Sequence, residues 1–104
     1  MNDNLNIEVL ESFLKKMEMY IYPISQDSIQ SFVTGFEVRA QSSVLTKEIS
    51  SYLEEEYGIK KPAMGYPYQI EVYAKNNEIS WVDAFIEITN TVITRISTND
   101  KIDE

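Results

Sequence analysis

The chain has 104 residues, 43% hydrophobic and 25% charged, which fits one globular domain with a single core and excludes a disordered or two-domain protein. Seventeen acidic against nine basic side chains leave a net charge of −8, so phosphate backbones and anionic membranes are repelled and cationic surfaces attracted. Cysteine and histidine are both absent, which removes disulfides, thiolate nucleophiles, imidazole acid–base chemistry and the commonest transition-metal ligands.

The N-terminal stretch MNDNLNIEVLESFLKK has no basic region followed by an apolar one. No apolar run reaches the ~20 residues of a membrane span. A cytoplasmic address is the default expectation, with residues 1–104 forming one domain. From Leu5 to Ile21, Ile7, Leu10, Leu14, Met17 and Ile21 recur at three- and four-residue steps, with Phe13 beside them, and predict an amphipathic helix ended by Tyr22-Pro23. Asp27 then reads as an N-cap, with Gln30 completing a capping box. The segment SIQSFVTGFEVRA fits a helix through Ile29, Phe32, Val33, Phe36 and Ala40, and a strand through alternate residues from Phe32. The cap favours the helix, and Gly35 within it suggests close approach of a neighbouring helix.

Ser42 or Ser43 can cap a third helix, whose stripe is Leu45, Ile49, Tyr52 and Leu53 and whose end is marked by Gly58. KKPAMGYP reads as a loop with Pro62, Gly65 and Pro67 as breakers. In YQIEVYAKNN, tyrosine, isoleucine and valine suit a strand, while Asn76-Asn77 suits a helix end. The last element is a long helix capped by Ser80 with Asp83 at the third position. Its face runs through Val82, Phe85, Ile86, Thr89, Val92, Ile93 and Ile96, and Trp81 at its start reads as core. The polar tail STNDKIDE, from about residue 97, is expected to fray. The predicted fold is an all-α compact bundle of four to five amphipathic helices; the alternative is α+β, with strands near 32–40 and 68–74.

A histidine-based triad is impossible, and with three glycines neither GxGxxG nor GxxxxGK[ST] occurs. No calcium-loop spacing surrounds Asp100, Asp103 or Glu54 to Glu56. A glycosidase-type carboxylate pair carries no information here, because 17 acids on a small surface meet its spacing by chance. The expectation is a protein that is not an enzyme, with no cofactor and no metal.

The sequence EEEYGIKKPAMGYPY is the informative stretch. Glu54, Glu55 and Glu56 fall in the last turn of the third helix, where the helix dipole is negative. At roughly 0.3–1 kcal/mol each they are locally unfavourable, partly offset by Lys60 and Lys61. A solvated charge run is the bland reading; a violated local rule is also where function is expected. Tyrosine combines large contact area with few rotors, and Tyr57, Tyr66 and Tyr68 follow closely, the last two flanking Pro67 in the expected loop. Tyr52 and Tyr73 lie on apolar stripes and read as core. With Glu71, the acids and tyrosines make a candidate partner-binding set: Glu54, Glu55, Glu56, Tyr57, Tyr66, Tyr68 and Glu71.

In size, charge and this acidic-aromatic segment, the chain resembles the small immunity proteins of bacterial toxin systems, of the contact-dependent growth inhibition or colicin type. The resemblance implies a cytoplasmic inhibitor that binds a cognate basic toxin domain one to one. The toxin it implies would be a nuclease, such as an RNase, whose active-site cleft is covered. The alternative is a non-catalytic helical adaptor or subunit, for which a homodimer is possible. A DNA mimic is a third, minor option, because the acids are mixed evenly with apolar stripes.

Overall fold

The computed structural model describes residues 6–103, with side chains described through residue 98. Five helices follow one another: α1 (Ile7–Lys15), α2 (Gln26–Ala40), α3 (Val44–Tyr57), α4 (Tyr66–Asn77) and α5 (Trp81–Asp103), with a single 3-10 turn at Met17–Met19. No strand occurs among the described residues, and 32–40 and 68–74 are both helical, so the fold is an all-α bundle and the α+β alternative falls. Leu10, Phe13, Ile29, Leu45, Ile49, Leu53, Ile70, Phe85, Ile88 and Val92 are almost fully buried in one shared core.

The expected first helix from Leu5 to Ile21 is shorter, and Leu5 lies outside the described residues. Asn6 caps α1 by accepting from the Val9 N–H, and the helix stops at Lys15. The 3-10 turn still buries Met17, but it lets Tyr20 fold back. The Tyr20 hydroxyl donates to Ser12 Oγ at 2.9 Å, and its ring stands edge-on to Phe13 at 5.7 Å and to Phe32 at 5.6 Å. In a continuous helix, residues seven apart are about 10 Å apart along the axis, too far for the Phe13 contact.

The cap of α2 also differs from the expectation at Asp27 and Gln30. Ser25 is the N-cap: Ser28 N–H donates to Ser25 Oγ at 3.2 Å, and Ser25 N–H donates to Ser28 Oγ at 3.0 Å. Ser28 Oγ also donates to the Pro23 carbonyl at 2.7 Å, tying the cap to the preceding turn. Asp27 therefore sits in the first turn, where the dipole favours it, and Gln30 accepts from Gln26 instead. Gly35 is exposed, and a Cβ there would meet nothing within 4 Å. Among the described residues no neighbouring helix comes within 4 Å of that position.

Ser43 stands at the N-cap of α3 without a side-chain cap bond. The work is divided. Ser42 Oγ accepts from the Val44 N–H, and the Glu37 carboxylate, from the end of α2, accepts from the Thr46 N–H at 3.0 Å and hydroxyl at 3.1 Å. A carboxylate at a helix N-terminus satisfies orphan donors and opposes the positive dipole end. At the other end Gly58, with φ of 67°, closes α3 as expected; Ile59 N–H donates to Leu53 O and Gly58 N–H to Glu54 O.

The expected loop through Pro67 is shorter by two residues. Gly65, with φ of 79°, precedes α4, and Pro67 falls in its first turn, where no N–H is required of it. Gln69, fully buried, ties the loop down by donating from Nε2 to the Ile59 carbonyl at 2.8 Å. In α5, Ser80 Oγ accepts from the Asp83 N–H at 3.0 Å, as expected. Trp81 stacks on Phe85 and donates to the Pro67 carbonyl, half-buried. The buried face is wider than the expected stripe, because Ala84 and Ile88 join Phe85, Thr89, Val92, Ile93 and Ile96. The helix backbone continues through the polar segment to Asp103. Side chains 99–104 lie outside the described residues, and with them Asp100 and Asp103.

Candidate functional site

Glu54, Glu55 and Glu56 are all exposed on the last turn of α3. Glu55 faces Arg95 of α5, with Oε1 3.8 Å from Nη2. Among the described residues, neither Glu54 nor Glu56 has a cation within 4 Å, and neither Lys60 nor Lys61 pairs with the run. Lys61 instead lines a separate groove, so the offset expected from these lysines is not made by direct pairing.

Tyr57 follows the acids and is 48% exposed. Its position is fixed from two sides. Its ring meets Tyr73 edge-on at 5.0 Å and Tyr52 edge-on at 5.7 Å. Tyr73 is buried and its hydroxyl donates to the Glu87 carboxylate of α5, while the Tyr52 and Tyr57 hydroxyls lie 3.5 Å apart. The Arg95 guanidinium carbon is 5.3 Å from the Tyr52 ring centre. The hydrogen bond to Glu87, helped by burial, raises the Tyr73 hydroxyl well above the usual tyrosine pKa. Tyr52 is raised by its bond to Tyr57 and then by burial. Both hydroxyls therefore stay neutral through the physiological range.

Tyr66, Tyr68 and Glu71 belong elsewhere. Residues two apart on a helix point about 200° apart, so once Tyr66 and Tyr68 enter α4 they cannot share a surface. Tyr66 turns inward over a groove of about 230 Å³ lined by Glu37, Thr46, Lys47, Ser50 and Lys61, which corrects its expected place in an exposed loop. Burial, and then the Glu37 charge, push its hydroxyl up to about 12. Tyr68 is 41% exposed, and Glu71, one turn on, pairs with Lys75 at 3.2 Å in an exposed i,i+4 bridge. Among the described residues no hydrogen bond or ring contact joins these two to Tyr57.

The structure thus brings Glu55 and Tyr57, with the Glu56 charge beside Tyr52, together with four residues that sequence reasoning left out of the site: Tyr52, Tyr73, Glu87 and Arg95. Tyr52 and Tyr73 were legible as stripe residues of α3 and α4, but Glu87 and Arg95 become visible only when α5 is laid against α3. A second surface also escaped the sequence reading. Met19, at the end of the 3-10 turn, and Tyr22 and Ile24, between that turn and α2, are 74%, 90% and 42% exposed, where the sequence placed the end of a helix. The signal was the apolar run MYIYPI around Pro23.

Among the described residues no group of three or more acidic side chains is arranged to hold a metal ion, and no helix is long and apolar enough to cross a membrane. No family model, curated protein or solved structure matches the chain.

Proposed function

We propose that this protein is a stoichiometric inhibitor of the immunity-protein kind, which binds a cognate basic toxin domain one to one in the cytoplasm. The toxin on this reading is a nuclease of the RNase kind, and the inhibitor covers its basic cleft without doing chemistry of its own. The observation that carries the reading is the corner at the end of α3. There Tyr57 is half-exposed yet held edge-on by two other rings, directly after three exposed glutamates, two of which have no cation partner among the described residues. A fixed aromatic side chain gives contact area without much loss of rotamer freedom, and uncompensated carboxylates steer encounter with a cationic surface and occupy positions made for phosphates. Tyr68 and Glu71 lie on another face of α4 and stand outside the corner, and Tyr66 turns inward over the groove beside Glu37.

Replacing Glu54, Glu55 and Glu56 together by glutamine tests this reading. Association with the basic partner, followed by stopped flow over a series of salt concentrations, is expected to slow about ten-fold at low salt and to lose most of its salt dependence. Stability should hold or rise slightly, since three charges leave a negative dipole end. An unchanged association rate would remove the corner from the interface.

A second reading is a non-catalytic adaptor or subunit, possible as a homodimer, and the exposed apolar segment at Met19, Tyr22 and Ile24 is the observation that favours it.

A further inference from the structure

The groove of about 230 Å³ between α2, α3 and the loop before α4 is lined by hydrogen-bond donors that the fold leaves unused. Ser50 lines it and is 5% exposed; its carbonyl accepts from Gln69 Nε2 at 3.4 Å, but its hydroxyl has no hydrogen-bond partner among the described residues. A buried polar group in that position calls for an explanation. The Tyr66 hydroxyl over the same groove also has no partner among the described residues, and it stays a donor because burial and the Glu37 charge push it up to about 12. Lys47 and Lys61 line the groove from α3 and from the loop, and neither has a carboxylate within 4 Å among the described residues. The single acid of the lining, Glu37, is already engaged with the Thr46 N–H at 3.0 Å and hydroxyl at 3.1 Å. Two cations against one carboxylate leave one positive charge here, in a chain whose net charge is −8. Donors of this kind bind an anion best, and one excess charge matches a singly charged anion better than a doubly charged one. The volume lies below the ~300 Å³ of a drug-sized pocket, so the ligand has few atoms, and Val33 gives it an apolar wall. We propose that this groove binds a small monocarboxylate, whose carboxylate accepts from the Ser50 and Tyr66 hydroxyls and from Lys47 or Lys61 while its short apolar body lies against Val33. The site is separate from the acidic corner and does not depend on the inhibitor reading.

The test titrates the full-length protein with sodium propionate, acetate, methyl phosphate and chloride at fixed ionic strength, following backbone amide resonances by NMR. Propionate is expected to give saturable shifts at residues 46–50 and 61–66 with a Kd on the order of 1 mM, and to bind about two- to four-fold more tightly than acetate because its extra methylene meets Val33. Doubly charged methyl phosphate should bind more weakly, and chloride should leave these residues unshifted. Ser50→Ala is expected to weaken propionate about ten-fold and Lys61→Gln about three-fold. Lys60→Gln, next in the chain but outside the lining, should leave the affinity as it is. Should Ser50→Ala fail to fold, Lys61→Gln decides, because Lys61 is exposed and carries no packing. The site is overturned if propionate does not saturate these residues, if acetate, methyl phosphate or chloride binds as tightly, or if propionate binding is indifferent to both Ser50→Ala and Lys61→Gln.

Discussion

Gly35 and Tyr66 show how one residue's role changes once its surroundings are known. A glycine in the middle of α2 suggested a crossing helix, yet a Cβ there would meet nothing within 4 Å. Its backbone is ordinary helix, so Gly35 carries only the entropic cost of glycine. Gly35→Ala is expected to stabilise the protein by about 0.5–1 kcal/mol, read as a rise of several degrees in the thermal midpoint; a fall would mean that something does need the space. Tyr66 runs the other way, from surface candidate to half-buried support. Its hydroxyl is raised from 10.0 to about 12 by burial and by Glu37, so its neutral form is favoured in the folded state. That contribution is fully present below pH 10 and is lost as pH rises towards 12. Denaturant unfolding should accordingly show Tyr66→Phe losing less stability than the unmodified protein between pH 10 and 12, and parallel losses would contradict the burial of this hydroxyl.

At the scale of the elements, the capping of α2 gives a clean comparison. Ser25 makes the reciprocal bonds with Ser28, while Asp27 contributes only as a first-turn acid. Ser25→Ala should cost about 1 kcal/mol in urea unfolding and Asp27→Ala distinctly less; the reverse order would restore the cap to Asp27. Helix existence was legible along most of the chain because each stripe recurs at helical spacing, and Gly58 and Ser80 marked their ends correctly. The errors fall where tertiary contacts override local pattern. Tyr20 returns to the Phe13–Phe32 stack and cuts the first helix short, and Glu37 reaches across to share the capping of α3 with the expected Ser42. The site was half legible for the same reason. Glu54 to Tyr57 are consecutive, whereas the Glu87 and Arg95 that surround them come from a helix whose position against α3 no local pattern encodes.

For the whole molecule, a charge of −8 is distributed so that the described residues contain two side-chain ion pairs, both exposed. Most carboxylates therefore project an unneutralised field, which speeds encounter with a cationic partner and opposes self-association. The apolar segment at Met19, Tyr22 and Ile24 is a surface that would favour a different kind of partner. The most direct measurement is capture by the immobilised protein, in parallel with the Glu54, Glu55 and Glu56 glutamine variant and a Tyr22→Ser variant, from an extract of its native cells. The nuclease activity of the bound material would be assayed before and after its separation. The account predicts one basic polypeptide, retained by the unmodified and Tyr22→Ser proteins, weakened by the glutamine variant, silent while bound and active once released. Capture that survives the glutamines and is lost with Tyr22, or a partner with no latent nuclease activity, would contradict it.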